Sequence, residues 1–180
     1  MKKLWETIEV RTIYDRGFVK FKERSCRHKE KGIKYDFFKM EFLDWVTVVP
    51  ITVEQEVILV KQYRIGTEEV TLEIPGGTLD PGEENSKLAA KRELLEETGY
   101  DSEKLVKLGK VAVNPAIQNN YCHFYLAQDV KLIGEQSLDK TEDIELKVVP
   151  LNKIQKLINS ERINHSLSIL PLLYTKDYLK

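Results

Sequence analysis

Three glutamates with helical spacing, Glu93, Glu96 and Glu97, form the strongest chemical signal in the sequence. At about 100° per residue, their side chains occupy one side of a helix predicted over 86–98. Like charges at this spacing destabilise a helix by about 0.2–0.5 kcal/mol per pair. Carboxylate oxygens suit Mg²⁺, Mn²⁺ or Ca²⁺, and such an ion would convert the repulsion into attraction.

The bland alternative for this helix is a solvated acidic face. Lys87, Lys91 and Arg92 would then relieve the repulsion between the carboxylates. Leu88 and Leu95 share the opposite side of the helix. The helix by itself does not decide between a metal site and a solvent-facing charge cluster.

The segment before the helix predicts close approach of backbone to a ligand. A short strand predicted over 71–74 runs into Pro-Gly-Gly at 75–77, where glycines permit tight geometry. An Asp-Pro-Gly-Glu turn follows at 80–83. Ser86 is the predicted N-cap of the helix, and Gly99 is a natural stop. The loop lacks the Lys-Ser/Thr pair of an NTPase phosphate loop.

Residues 77–100, GTLDPGEENSKLAAKRELLEETGY, resemble the Nudix box G-x5-E-x7-R-E-U-x-E-E-x-G-U, in which U is bulky and apolar. Residues 92–100 match its second half position by position. The first half is one residue longer than the pattern. Counted forward from the first glycine, Glu83 is the box's first glutamate, whereas counting back from the arginine selects Glu84.

The resemblance extends over roughly 44–175 and favours the branch of ADP-ribose pyrophosphatases and related nucleoside diphosphate sugar hydrolases. Val-Lys-Gln-Tyr-Arg at 60–64 and Glu-Ile-Pro-Gly-Gly at 73–77 are similar to two motifs of that branch. The stretch 114–120 falls where these enzymes carry a substrate loop. His165 begins a segment like that of their last helix.

This resemblance implies an α/β fold, a Nudix α/β/α sandwich around a mixed sheet over residues 44–180. An N-terminal antiparallel strand extension, 1–43, precedes it. Alternating apolar and polar residues at 6–14 and 18–26, with a further strand at 35–40, predict that meander. In this branch such strands commonly exchange across a homodimer, so the extension is expected to be the dimerisation element.

The remaining elements follow from apolar patterning and turn residues. A hairpin of two strands is predicted over 46–53 and 57–63. The other predicted elements are strands at 105–113, 121–126 and 144–149 and helices at 151–159 and 165–175, with Pro171 as a kink or an end of the last helix.

By resemblance, the acidic helix supplies the metal ligands for Mg²⁺, with Mn²⁺ as a substitute. Glu93 and Glu97 are the expected main ligands, Glu96 assists, and the Gly76 carbonyl adds a backbone ligand. Arg92 is expected to orient a glutamate of the box through an ion pair, with a plain surface salt bridge as the alternative.

Substrate contacts are also implied by the resemblance. Arg64 is the expected phosphate contact, and the alternative is a structural pair with Glu73, itself a candidate substrate-binding residue. Gln118 and Asn119 lie in the expected substrate loop.

The general base is expected at Glu142, in the run DKTEDI over 139–144. Lys140 stands where the family carries an additional glutamate. Two alternatives stay open: Glu96 or Glu97 acts as the base, or Glu142 is a solvated loop charge.

The implied reaction is metal-dependent hydrolysis of the diphosphate bond of a nucleoside diphosphate sugar, ADP-ribose first, to a nucleoside monophosphate and a sugar phosphate. One alternative is another diphosphate substrate: a dinucleotide, NADH or an oxidised nucleoside triphosphate. Another alternative, from a different class, is a non-catalytic nucleotide-sugar sensor.

Composition sets wider bounds. The formal charge of −1, from 28 basic and 29 acidic residues, gives no indication of a nucleic-acid or membrane partner. The stretches 80–103 and 135–145 are nevertheless acidic. Two cysteines make no disulfide framework. The first residues, MKKLWETIEVR, contain no apolar run, so we expect no signal peptide, and no stretch of about 20 apolar residues predicts a membrane helix. We therefore expect a cytoplasmic protein.

Overall fold

The computed structural model describes residues 4–180, so the first three residues of the predicted N-terminal extension lie outside the described residues. By its internal contacts the chain forms two units. The first comprises the residues up to 44 together with 112–121, and the second comprises 45–111 together with 122–180.

The strands are β1 (Trp5–Asp15), β2 (Val19–His28), β3 (Lys34–Phe42), β4 (Trp45–Ile51), β5 (Glu56–Arg64), β6 (Glu69–Glu73), β7 (Gly76–Thr78), β8 (Tyr100–Asp101), β9 (Lys104–Ala112), β10 (Tyr121–Gln128), β11 (Lys131–Leu132) and β12 (Ile144–Pro150). The helices are α1 (Ser86–Thr98), α2 (Leu151–Asn159) and α3 (Ser166–Tyr178). Every element predicted from the sequence is present within a few residues of its expected bounds.

The first unit contains the predicted antiparallel meander, a three-stranded sheet in the order β1-β2-β3. The turn between β1 and β2 contains Gly17 at a φ of 78°, and the Gly17 N–H donates to Asp15 Oδ1 at 2.8 Å. The segment 112–121 joins this unit through β3, because the Met40 N–H donates to the Ile117 carbonyl at 2.7 Å.

The second unit contains a seven-stranded sheet with the path β12-β5-β4-β10-β9, with β6 beside β5 and β7 beside β4. Because β4 pairs in parallel with β10 and antiparallel with β7, the predicted mixed sheet is confirmed. The hairpin of β4 and β5 is shorter than predicted, with one registered pair at Ile51 and Val57. The reason is that β7 occupies the same edge of β4 at residues 45–47.

The sheet is buried on both faces, which explains the nearly continuous apolar run in β4. On one face, Val46 and Val48 pack with Ala90 and Leu94 of α1. The other face is covered by residues of α2 and α3, with Ile154 and Leu172 in a second core cluster. The predicted α/β/α sandwich is therefore confirmed.

Two helix details differ from the sequence analysis. Asn85, one residue before the predicted cap, is the N-cap of α1, and its side chain accepts the Lys87 N–H. Ser86 Oγ instead bonds to the Tyr125 hydroxyl at 2.7 Å in the core. Pro171 does not end α3, because its ring is buried in the core and packing offsets the missing backbone hydrogen bond. No helix within residues 4–180 has the length and apolarity to cross a bilayer.

Candidate active site

The acidic side of α1 is the side that faces the interior. Glu93 is 8% exposed and Glu97 is 3% exposed, whereas Leu88 on the opposite side is 59% exposed. The solvated-face interpretation is thus wrong for these two glutamates, although Glu96 retains 42% of its side-chain exposure. Two carboxylates buried on one helix face need positive charge or hydrogen-bond donors close by.

The Gly-Gly turn before α1 explains how these carboxylates are accommodated. The Gly76 N–H donates to Glu97 Oε2 at 2.8 Å. A Cβ at Gly77 would lie 2.5 Å from the carboxylate of Glu93, and one at Gly76 would lie 2.2 Å from the Val46 carbonyl oxygen. At Gly76 the neighbour is backbone, so only glycine allows β7 to lie this close to β4. At Gly77 the neighbour is the end of the flexible Glu93 side chain, so an added Cβ would displace that carboxylate.

Arg92 connects the acidic side chains on the exposed side of this cluster. Its Nη1 donates to Glu93 Oε1 at 2.8 Å and to Glu96 Oε2 at 3.1 Å. Its Nη2 lies 3.6 Å from Glu83, while Glu84 is exposed to solvent. The structure therefore brings Glu83, and not Glu84, close to Arg92, and Arg92 contacts both Glu93 and Glu96. The role of Arg92 in orienting a glutamate of the box stays a prediction.

Burial shifts the protonation of both interior glutamates. Burial raises the pKa of Glu97 to about 8, with repulsion from Glu93 and Glu142 adding to the rise and the Gly76 N–H opposing it. Burial likewise raises the pKa of Glu93 to about 7, against the attraction of Arg92. Without a cation, burial therefore shifts both carboxyl groups towards their protonated forms.

A divalent metal fits this donor set. Hard carboxylate oxygens on one helix face are the ligands that Mg²⁺ and Mn²⁺ prefer, and a cation would restore the charged form of both glutamates. Within residues 4–180, no three His, Cys, Asp or Glu side chains converge as a preformed metal cluster. The guanidinium of Arg92 bridges Glu93 and Glu96 through one of its nitrogens, Nη1.

A second charged cluster lies at the ends of β5 and β6. Arg64 donates from Nε and Nη2 to the two oxygens of Glu73, at 2.9 and 2.8 Å. Glu73 is 2% exposed and also accepts hydrogen bonds from Thr71 and His165. Burial alone would raise the pKa of Glu73. The hydrogen bonds from Arg64, His165 and Thr71 outweigh burial, so the pKa of Glu73 lies well below its usual range.

The pair of Arg64 and Glu73 matches the structural alternative for Arg64, yet it leaves part of the guanidinium available. The Arg64 side chain is 44% exposed, and its hydrogen bonds within residues 4–180 use Nε and Nη2 but not Nη1. The Glu73 bond raises the pKa of Arg64, and the charges of Glu97 and Glu142 add to that rise. Arg64 therefore lies within electrostatic range of the acidic cluster.

The loop between β11 and β12 carries Glu142 and is fastened to α1. Gln136 donates from Nε2 to the Glu97 carbonyl at 2.7 Å and to the Ile144 carbonyl at 3.3 Å. Glu142 is exposed, and its Oε2 accepts the Asp139 N–H at 2.9 Å. Its charge contributes to the raised pKa values of the interior glutamates.

Gln118 and Asn119 lie in the first unit. The amide of Asn119 bonds in both directions with the backbone of Phe42, at 2.8 and 3.2 Å, so it holds the segment 112–121 on β3. Gln118 Oε1 is buried and has no hydrogen-bond partner among residues 4–180. Their role toward a substrate stays a prediction.

Sequence reasoning did not assign roles to Gln136 or His165. No motif marks Gln136, because its contacts are with backbone carbonyls that are distant in sequence. From the sequence, His165 is identified only as the first residue of a segment similar to the family's last helix. Its contact with Glu73 spans 92 residues and required the fold.

A three-layer α/β/α fold, with a Gly-Gly turn against a buried acidic helix face, defines the class of this protein as a Nudix-type domain. The family model for the NUDIX domain matches residues 43–168, and the chain belongs to that family.

Individual relatives agree with this assignment. The chain is 37% identical to the ADP-ribose pyrophosphatase of Bacillus subtilis (strain 168) over 66% of its own length. That match spans 64% of the Bacillus enzyme, just under two thirds. This chain is also 34% identical to the methanol dehydrogenase activator of Bacillus methanolicus, over 72% of this chain and 70% of that protein. A crystal structure of an ADP compounds hydrolase superposes with a TM-score of 0.85 at 25% identity, covering 99% and 97% of the two chains.

Proposed function

We propose that this protein hydrolyses the diphosphate bond of nucleoside diphosphate sugars, with ADP-ribose as the first substrate. The products would be a nucleoside monophosphate and a sugar phosphate. The burial of Glu93 and Glu97 on one face of α1 carries the proposal, because it sets aside two carboxylates that a cation would stabilise. The similarity to an ADP-ribose pyrophosphatase and to an ADP compounds hydrolase supports the substrate class.

Enzymes of this family generally use divalent metal ions, and we propose Mg²⁺, with Mn²⁺ as a substitute. Glu93 and Glu97 would hold it, with Glu96 and the Gly76 carbonyl as further ligands. When bound, the metal neutralises phosphate charge and makes water more acidic. Arg92 keeps the glutamates of the helix oriented through its bonds to Glu93 and Glu96.

Side chains of the protein would accept the proton of the attacking water and bind the diphosphate. A water oxygen bonds to one phosphorus, the bridging P–O bond breaks, and Glu142 accepts the proton of the water. The positive potential of Arg64 attracts the diphosphate, and its free Nη1 donates to a phosphate oxygen. Glu73 orients Arg64. Gln118 and Asn119 are further candidates for contact with the substrate.

A substrate panel tests this proposal. Purified protein would be incubated with Mg²⁺ or Mn²⁺ and ADP-ribose, other nucleotide sugars, a dinucleotide, NADH or an oxidised nucleoside triphosphate. We expect release of AMP and ribose 5-phosphate, with the highest kcat/KM for ADP-ribose. A higher kcat/KM for another diphosphate would change the proposed substrate but not the proposed reaction. Absence of a monophosphate product from every compound would overturn the proposal and favour the sensor.

We further propose that residues 1–43 form a dimerisation element of a homodimer. Several apolar side chains of this region are exposed to about half of their surface or more, which is unusual for a monomer. Examples are Ile8, Val10, Ile13, Phe18 and Phe38. Light scattering should give about twice the chain mass of 20.9 kDa, and a monomeric mass would remove the proposal.

A cytoplasmic location is proposed from the cysteines. Cys26 and Cys122 are both buried in the protein, and buried thiols suit a reducing compartment.

A further inference from the structure

His165 occupies the N-cap position of α3 but does not use its side chain as a cap. The backbone carbonyl of His165 accepts the N–H groups of Ser168 and Ile169, both at 3.0 Å, whereas its imidazole makes no capping bond. Histidine is not a preferred N-cap residue. The local helix start therefore does not explain why an imidazole stands at this position.

The imidazole instead completes the hydrogen bonding of Glu73. Arg64 Nε and the Thr71 hydroxyl donate to Oε1, at 2.9 and 2.5 Å. Arg64 Nη2 and His165 Nδ1 lie 2.8 Å from Oε2. Because the other three partners are donors to an ionised carboxylate, we assign the proton to Nδ1. Each oxygen then has two donors, which fixes both the position and the plane of the carboxylate.

Helix α3 is registered against this segment at a second point. Ser168, three residues after His165 and thus on the same helix face, accepts the Ile74 N–H at Oγ, at 3.2 Å. Ser168 is 1% exposed. The side chains of His165 and Ser168, at the start of α3, therefore hold Glu73, the last residue of β6, and Ile74, which follows it.

We propose that His165 is a positioning residue for Arg64. By sharing Glu73 Oε2 with Arg64 Nη2, it fixes the carboxylate plane. That plane in turn sets the guanidinium plane, because the pair is bidentate. The free Nη1 is thereby held ready for a phosphate oxygen. This inference rests on the proposed function of Arg64 as the diphosphate contact.

Two substitutions separate hydrogen bonding from other properties of the ring. His165→Asn retains a donor, because the Asn Nδ2 can occupy the place of Nδ1, whereas His165→Ala removes it. We expect His165→Ala to raise KM for ADP-ribose about 10-fold, with kcat changed less than about threefold, and His165→Asn to stay within about threefold of wild type in both constants. Asn164→Ala, at the exposed neighbouring position, controls for disturbance of the helix start. Thermal melts would confirm that each variant is folded.

A double-mutant cycle tests whether the effect passes through Arg64. In an Arg64→Ala background, His165→Ala should cause no further rise in KM. Additive effects in the cycle, or a His165→Asn variant as impaired as His165→Ala, would overturn the proposal.

A spectroscopic readout is independent of turnover. The Arg64 Nε–H resonance in ¹⁵N NMR should be protected from solvent exchange in wild type and His165→Asn, and lose protection in His165→Ala. Unchanged protection in His165→Ala would contradict the positioning role even in an active enzyme. Wild-type protein without hydrolytic activity, but with the expected NMR response, would instead overturn the proposed function alone.

Discussion

The Gly76 N–H and Glu97 Oε2 are joined by a 2.8 Å hydrogen bond that ties the Gly-Gly turn to the acidic helix. This bond favours the ionised carboxylate, but it is a single donor against nearly complete burial. The balance raises the pKa of Glu97 to about 8. The turn is thus bonded to a helix side chain whose charge depends on pH and on cations.

The metal-free protein should become less stable as pH rises through this range. A carboxyl with an ordinary pKa of 4.5 and a folded-state pKa of about 8 binds its proton more tightly when folded. Its contribution to stability is therefore complete below about pH 4.5 and is lost as pH rises towards about 8. Glu93 acts in the same direction, up to about pH 7.

Urea unfolding in EDTA would measure this dependence between about pH 5 and pH 8. Glu97→Gln cannot ionise, so its free energy of unfolding should fall less with pH than that of wild type. Addition of Mg²⁺ should stabilise wild type more at the upper end of this range. Parallel pH profiles for the two proteins would contradict the raised pKa.

Gly77→Ala should impair activity without unfolding the protein. The new Cβ would lie 2.5 Å from the Glu93 carboxylate, which can move because it is the end of a flexible side chain. We expect kcat/KM to fall about 100-fold through misplacement of that carboxylate, with weaker metal binding and less than about 1 kcal/mol change in the free energy of unfolding. Gly66→Ala is the matched control, since its Cβ would meet no atom within 4 Å. Equal activity of the two variants would contradict the proposed role of Glu93.

The fold and the position of the acidic helix were predictable because they depend on local patterns. The carboxylates at 93, 96 and 97 and the stop at Gly99 follow from a period of 3.6 residues. The buried side of the helix could not be predicted from the sequence. Leu88 and Leu95 form the pattern of an apolar, core-facing side, and yet both are exposed.

The contacts that hold the charged residues in place could not be predicted from pattern. His165 and Gln136 act on residues 92 and 39 positions away in the chain. No periodicity or motif spacing indicates a contact between residues so far apart in the sequence. The sequence also did not distinguish a phosphate contact from a structural pair at Arg64, and the structure shows why: the side chain is bound to Glu73 through two nitrogens and leaves a third for another acceptor.

Gln136→Glu should disturb the loop that carries Glu142. The substitution keeps the shape of the side chain but replaces the Nε2 donor to the Glu97 and Ile144 carbonyls with an acceptor. We expect kcat to fall about 10-fold and the free energy of unfolding to drop by about 1–3 kcal/mol. Gln155→Glu, in an exposed hydrogen bond to Asn159, provides the control. A loss of stability with unchanged kcat would show that the loop anchor has no bearing on catalysis.

Glu142→Gln tests the assignment of the general base. The Gln Oε1 can still accept the Asp139 N–H, so the turn should persist while the proton acceptor is lost. We expect kcat to fall at least about 100-fold and Tm to stay close to that of wild type. Glu96→Gln should be compared in the same assay. If it loses more activity than Glu142→Gln, the base belongs to the helix instead of the loop.

The most direct test of the central claim is kcat for ADP-ribose hydrolysis by wild type and Glu97→Gln at saturating Mg²⁺. A metal-dependent hydrolase built on this helix should lose at least about 100-fold in kcat, because the substitution removes a ligand charge from the reacting site. A Glu97→Gln variant with wild-type kcat, or a wild-type protein that binds the nucleotide without turnover, would contradict it.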